Sequence, residues 1–410
     1  MLHDGTDSPT VSVELDLGQI GTFVLGVSTL GGSDLLTAAV TSNWTALPST
    51  AVRSVSIRRG RTREDQAMQP GTATIVLDNR SGNYDPDNIS GPYVWGGYSM
   101  LTRGFPIRVR ATYSATPYTL FTGEIENVIP DQSLDPTATI TAVDGLSTIA
   151  GVKVATIASS FSGDTTATRA GRILDAASWP ASARSLTGTR QMQPTTYNAT
   201  ALALFEQCAA CEGGRVYADR SGNLVLLPYE STFTTTQRLT LSDTRAAGTL
   251  EYDVIQTSPG GAYMVNQVNL TYTSGSTVTV TSPASQARFG TFSRDVTAPL
   301  LNLSEATAVA QSIADRFALP ATRVDRIEYD GPGAGSLWPS ILQADLAERV
   351  SVIRNTVDGR SRTYGCVIES ISHDITVANW RIGYDLSPAA SSVYFTLGTS
   401  TLGGTDALYY

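Results

Sequence analysis

Between residues 52 and 144, apolar and β-branched residues alternate with polar ones in short runs separated by clusters of Gly, Asp, Asn and Pro. A period of two with turn-forming punctuation is the signature of half-buried strands. Five strands are predicted: residues 52–58, with Val55 and Ile57 on one face; 71–77, through Ile75 and Val76; 107–113, alternating around Arg108 and Arg110; 119–128; and 137–143. Pro117-Tyr118 reads as the hairpin turn between the third and the fourth. A closed or nearly closed barrel would leave such a sheet without exposed edges.

The period changes near residue 165. Ile173, Leu174 and Ala177 stand at helical spacing within 168–178. That run stops at Trp179-Pro180, because proline disfavours helix in the residue before it. Asn198 is placed to cap a second helix, whose Leu202, Phe205, Cys208 and Ala209 form an apolar stripe ending at Gly213-Gly214. A hairpin over 215–218 and 224–227 follows, turning through 219–223. From Leu239 the strand pattern returns, with a hairpin over 267–273 and 277–281 and strands over 323–329, 349–354, 362–371 and 379–386. One helix interrupts it, capped by Ser304, with Ala306, Val309, Ala310, Ile313 and Phe317 on one face and Pro320 at its end. The chain therefore reads as mainly β (α+β) in five parts. These are an N-terminal arm over 1–45, a first β-barrel domain over 46–160, a small α/β domain over 161–235, a second β-barrel domain with one helix over 236–390, and a C-terminal arm over 391–410.

The two arms carry a repeat. Residues 23–36 read FVLGVSTLGGSDLL and residues 395–408 read FTLGTSTLGGTDAL, identical at ten of fourteen positions. Gly31-Gly32 and Gly403-Gly404 permit a sharp turn. Phe23, Leu25 and Leu30 in one copy, and Phe395, Leu397 and Leu402 in the other, offer apolar anchors. Two readings stand side by side: clips that dock on a neighbouring protein, or duplicated edge strands that close their own subunit.

Composition narrows the chemistry. With 410 residues the chain can hold two or three domains of the usual ~100–200 residues. Charged residues are 16%, below the ~25% of an average globular protein, so disorder through excess charge is excluded. Twenty-eight basic against 37 acidic side chains give −9, which argues against a broad basic face for DNA or anionic lipid. No apolar run reaches the ~20 residues of a membrane span. The opening Met-Leu-His-Asp lacks the charged start and apolar run of a secretory signal. Three cysteines, an odd set, point to a reducing site of synthesis rather than a disulfide framework.

Each candidate site has a plainer reading. Cys208 and Cys211 form a C-x-x-C pair, but at the end of a helix and without a second ligand pair, so they read as buried apolar thiols. His373, in Ser370-Ile371-Ser372-His373-Asp374, lacks a positioned nucleophile, and His3 sits at the terminus. The oxygen-rich stretch 78–87 misses the calcium-loop spacing and reads as a long turn. Asn43, Asn198 and Asn302 open N-x-[ST] triplets that a Thr-rich chain produces by accident. The basic cluster over 53–63, with Arg58 and Arg59 at its centre, has no interleaved aromatics and is expected to meet a protein partner. No catalytic residue, cofactor or metal is expected.

The run over 52–88, VRSVSIRRGRTREDQAMQPGTATIVLDNRSGNYDPDN, resembles the opening of the minor tail proteins of long-tailed phages that infect actinobacteria. The helix ending Cys211-Glu212-Gly213-Gly214 before VYADRSGNLVLLP is similar to the middle domain of tail hub proteins. Asn266-Gln267-Val268, the 304–317 helix, Trp338-Pro339, and HDITVANWRIGYDLSPA at 373–389 follow in that family's order. The resemblance covers about residues 46–390 and leaves the arms outside it. It implies a non-enzymatic virion protein, made in the host cytoplasm, in which a homotrimer presents six similar barrels and adapts the sixfold tail tube to a threefold tip. Its implied partners are the distal tail protein or tube, the tape measure protein and other minor tail proteins, with DNA passing the channel unbound. The alternative is a receptor- or carbohydrate-binding tip protein, for which Trp95 and Tyr98 are the stacking candidates. A cell-wall hydrolase is disfavoured, since no catalytic set can be named.

Overall fold

A computed structural model of the chain describes residues 8–18, 42–155, 163–195, 197–233, 237–331, 334–357 and 359–389. In the first half, β1 (Thr10–Asp16), β2 (Trp44–Ala46), β3 (Val52–Gly60) and β4 (Gln69–Asp78) precede a two-residue-strand hairpin, β5 (Val94–Trp95) with β6 (Tyr98–Ser99). Then come β7 (Pro106–Tyr113), β8 (Thr116–Asp131) and β9 (Thr137–Val143). The order across the sheet is β3-β4-β9-β8-β7-β1-β2. Alternation explains the burial: β4 buries Ala73, Ile75 and Leu77, β9 buries Ala138, Ile140 and Ala142, and β7 buries Ile107, Val109 and Ala111. Each large aliphatic side chain so buried stabilises the fold by about 1.5–3 kcal/mol.

Two sequence expectations change here. The β7–β8 turn is Ser114-Ala115, both with positive φ, in the two-residue geometry that matches strand twist. Pro117-Tyr118 instead lies inside β8, opposite Thr112 and Ala111. Residues 10–16, assigned to the N-terminal arm, are a full strand of the sheet: β1 pairs with β7 along its length and with β2 at Glu14↔Ala46. The first LGG copy therefore belongs to the connection between β1 and β2, outside the described residues.

The sheet cannot be flat. β2 and β3 are six neighbours apart, roughly 29 Å at the usual strand spacing. The link between them, residues 47–51, spans at most about 20 Å.

The middle of the chain packs α1 (Gly145–Ala150), β10 (Lys153–Val154), α2 (Thr166–Ala176), β11 (Arg184–Leu186), β12 (Ala199–Thr200), α3 (Ala201–Cys211), β13 (Arg215–Ala218) and β14 (Leu224–Leu227). β10 pairs with β12, and β11-β14-β13 is a small mixed sheet under α2 and α3. Thr200, not Asn198, caps α3, its hydroxyl accepting from Ala203 N at 3.3 Å. A threonine at the last extended residue reaches N3, whereas Asn198 stands two positions too early.

The second half contains β15 (Gln237–Ser242), β16 (Leu250–Glu251), β17 (Val254–Ser258), β18 (Gln267–Thr271), β19 (Thr277–Thr281), α4 (Pro283–Phe289), β20 (Ser293–Thr297), α5 (Leu303–Phe317), β21 (Arg323–Asp330), α6 (Trp338–Gln343), β22 (Arg349–Asn355), β23 (Ser361–Thr376) and β24 (Trp380–Pro388). Asn302 caps α5 through Glu305 N at 3.0 Å, and Ser304 lies in the first turn instead. The apolar face of α5 covers the separate sheet β19-β18-β20. Segment 250–258 touches both margins of the larger sheet, β15 through β16 and β21 through β17, with Tyr252 N donating to Ser242 O and Asp253 N to Glu328 O.

The halves are not separate sheets. β23 pairs with β22 and β24 in its own half and with β3 in the other, so among the described residues one 14-stranded, mostly antiparallel sheet runs through the molecule. Among the described residues the chain is thus mostly β, with one large sheet, few helices and no closed barrel. No helix among the described residues is long and apolar enough to cross a membrane.

Candidate functional site

The seam where β3 meets β23 gathers most of the buried charge. Ile57 lies opposite His373, Arg59 opposite Ile371, and Gly60 opposite Ser370. Gly60 has φ +97°, and a Cβ there would overlap the Glu369 carbonyl oxygen. Only glycine allows β3 to approach β23 this closely and then bend away. The bend delivers Arg61, whose Nε donates to Glu369 Oε2 at 2.8 Å and whose backbone N donates to Glu369 O at 2.9 Å.

Glu369 is fully buried. Arg215, from β13 of the middle unit, stands 3.1 Å from its Oε1, and Ser387 Oγ donates to the same oxygen at 2.6 Å. Burial opposes the charge on Glu369, but Arg215, Arg61 and Ser387 outweigh it and hold the carboxyl below its ordinary range. One carboxylate thus ties together β3, the middle unit, β23 and β24.

A second group lies around Arg59, which alternation puts on the inner face with Val55 and Ile57. Its Nη1 donates to Asp345 Oδ1 at 2.8 Å, in the loop after α6. Arg220 of the β13–β14 turn reaches the same region, its N donating to Asp345 Oδ2 at 3.2 Å and its Nη1 to Leu342 O at 2.7 Å. On the other side Asp144 caps α1 through Leu146 N and accepts from Gly71 N at 2.6 Å. Burial pushes Asp144 up to about 7 against those hydrogen bonds and the charge of Arg59. Burial, aided by Arg59, drives His373 down to about 3, so it stays neutral and its Nδ1 accepts from Trp380 Nε1 at 3.3 Å.

The seam is therefore a fastening of ion pairs, with its protons committed to packing. Among the described residues no three His, Cys, Asp or Glu side chains are grouped to hold a metal. Cys208, Cys211 and Cys366 are buried free thiols, pushed up by burial, Cys208 and Cys366 to about 12. In the stretch 78–87 the oxygens bond their own chain: Asp78 Oδ1 accepts from Arg80 N, Asn79 Oδ1 from Tyr84 N and Asp85 Oδ1 from Asp87 N. Tyr98 is 79% exposed at its hairpin, and Trp95, its partner in register, is half-buried against the core.

Every arginine in the 53–63 cluster pairs with a carboxylate of the same chain: Arg53 with Asp78 and Asp135, Arg58 with Asp385, Arg59 with Asp345, Arg61 with Glu369, and Arg63 with Asp65. The expectation of a partner-facing patch is corrected at Arg59, which is 3% exposed and internal; Arg58 remains half exposed. Phe23, Leu25, Leu30, Phe395, Leu397 and Leu402 lie outside the described residues. The sequence reading did not single out Gly60, Asp144, Arg215, Asp345 or Glu369. The available signal was Arg59 itself, a charge at an inward strand position, which demands a buried counter-charge.

No family model matches the chain. No curated protein matches it in sequence. Solved structures do match it. The tail protein from Neisseria meningitidis MC58 is similar with a TM-score of 0.58 and 13% identity, covering 92% of this chain and 96% of that one. The 43 kDa tail protein of prophage MuSo2 from Shewanella oneidensis gives 0.54 and 12%, covering 92% and 98%. The chain has the fold of these proteins across nearly its whole length.

Proposed function

We propose that this protein is a structural, non-enzymatic component of a phage tail, and that three copies form a hub at the tail tip which adapts a sixfold tube to a threefold end. The observation that carries the reading is the fold shared end to end with two tail proteins. Two features favour a pair of barrel-like units per subunit, as six similar units in a trimer require. The first-half sheet must curl to let residues 47–51 join β2 to β3, and segment 250–258 bridges both margins of the second half. The seam would then set the angle between the two units.

In this reading the partners are two further copies, the distal tail protein or tube, the tape measure protein and other minor tail proteins of the tip. Exposed Arg58 and the segment carrying Phe23, Leu25 and Leu30 are the proposed contact points. DNA passes without being held, since phosphate affinity needs free Lys and Arg, and the main arginine cluster is neutralised within the chain. Obligate assembly of this kind buries large, charge-poor interfaces. Native mass spectrometry of the purified protein, with images of assembled tails, tests it. Three copies and threefold density at the tip are expected; a folded monomer at high concentration with no threefold density in tails overturns the hub.

A further inference from the structure

A cleft of about 270 Å³ opens beside the seam, between the loop after β3, the end of α3, β20 and α5. That is below the roughly 300–1,000 Å³ of small-molecule sites and suits a side-chain anchor. Its floor is apolar, with Ala209, Val216, Ile313 and Phe317. Its lining also carries Arg294 and Arg316 together with Glu64, Asp65 and Glu206, of which Glu64 is paired with Arg323 and Asp65 with Arg63. Arg294 Nη2 reaches only the Asp65 carbonyl, at 3.3 Å, and Arg316 lies over the Tyr229 ring and donates to Ser312 O. Among the described residues neither guanidinium has a carboxylate within ion-pair distance, unlike the arginines of the 53–63 cluster.

The chain supplies a segment of matching chemistry. Each LGG copy is apolar with a single charged side chain, an aspartate two residues after the glycine pair: Asp34 in residues 19–41 and Asp406 in residues 390–410. The second copy follows β24, whose Leu386 lines an adjoining cleft that shares Glu64, Asp65 and Phe317 with the first. From Ala389, the last described residue, the chain reaches Leu402 in thirteen residues, up to about 43 Å when extended.

We propose that this cleft receives the chain's own C-terminal repeat, with Leu402 on the apolar floor and Asp406 between Arg294 and Arg316. The repeat then straps the middle unit to both halves over the seam. This latch belongs to the single chain and holds whether or not three copies assemble.

The test uses the full-length chain with p-benzoylphenylalanine in place of Leu402, as an equal mixture of ¹⁵N-labelled and unlabelled protein. After irradiation, mass mapping should find cross-links from position 402 to α3 or α5 within chains of one isotope. Asp406→Arg should lower the yield about fivefold, the scale of one partly exposed ion pair, and Arg294→Asp in the same chain should restore it. Unchanged circular dichroism shows that the fold survives these changes. Mixed-isotope cross-links would mean that the repeat lies on a neighbouring copy, and cross-links elsewhere, or a yield indifferent to Asp406→Arg, would mean that the cleft is not its seat. Each of these results overturns the latch.

Discussion

Two arginine–carboxylate groups stand at opposite ends of β3. At its start, Arg53 and Arg80 share Asp78 and Asp135 on the surface. At its end, Arg61 and Arg215 share Glu369, which is out of contact with solvent. The residue types are the same, but the consequences are not. Exposed pairs are screened and contribute little, whereas breaking a buried pair strands a charge in a medium that cannot solvate it. The buried group also ties elements far apart in sequence, while the surface group ties only the ends of neighbouring strands.

The comparison can be broken most severely at Gly60. Gly60→Ala puts a methyl into the Glu369 carbonyl at a φ that alanine resists, so β3 and β23 must part. The expected outcome is loss of soluble, folded protein, read by size exclusion and circular dichroism; a native melt would show that the seam can relax. Next comes Glu369→Gln, which leaves Arg61 and Arg215 facing a neutral amide and should cost about 3–5 kcal/mol in urea unfolding. Arg61→Met with Arg215→Met and Glu369→Leu should recover much of that loss, since an apolar replacement of a buried ion group is often neutral.

A pH experiment sharpens the contrast. His373 titrates at about 3 folded against 6.5 unfolded, so the stability from burying it neutral is present above 6.5 and is lost progressively as pH falls from 6.5 towards 3. Asp144 runs the other way: raised to about 7 from 3.8, it favours the folded state increasingly as pH falls from 7 to 3.8. His373→Gln should therefore gain stability relative to the parent as pH is lowered from 7 to 5, measured as urea midpoints. An unchanged difference would mean that the imidazole is not buried neutral. The smallest effect is expected from Arg53→Ala, which should leave the urea midpoint within error and insensitive to added salt; a clear drop would erase the distinction between the two ends of β3.

Much of the strand and helix inventory was legible from periodicity, because alternation in β4, β7 and β9 and the 3.6-residue stripe of α5 follow directly from burial on one face. Cap positions were less so: Thr200 and Asn302 differ from their polar neighbours Asn198 and Ser304 only by two positions of backbone geometry. β1 shows clear alternation at Val11, Val13 and Leu15 but stands beside the repeat, which drew it into the arm. The seam was legible in only one of its partners. Arg59 and Arg61 are conspicuous, but their counter-charges lie roughly 300 residues on, and nothing local in Asp345 or Glu369 marks them as buried. Register between β3 and β23 is a property of the assembled sheet, and pattern alone does not encode it.

That long-range pairing has a consequence for a chain emerging from the ribosome. β3 ends at residue 60, and the strand that covers its open side ends at residue 376. At about 5–20 residues per second the edge of β3 stands bare for roughly 15 to 60 s of synthesis. An uncovered, β-branched edge is a template for aggregation, and charge is the usual protection. Over that interval Arg58, Arg59 and Arg61 have yet to meet Asp385, Asp345 and Glu369. The same arginines that later fasten the seam thus place on the bare edge the kind of charge that disfavours edge-to-edge pairing, before their own carboxylates have been made.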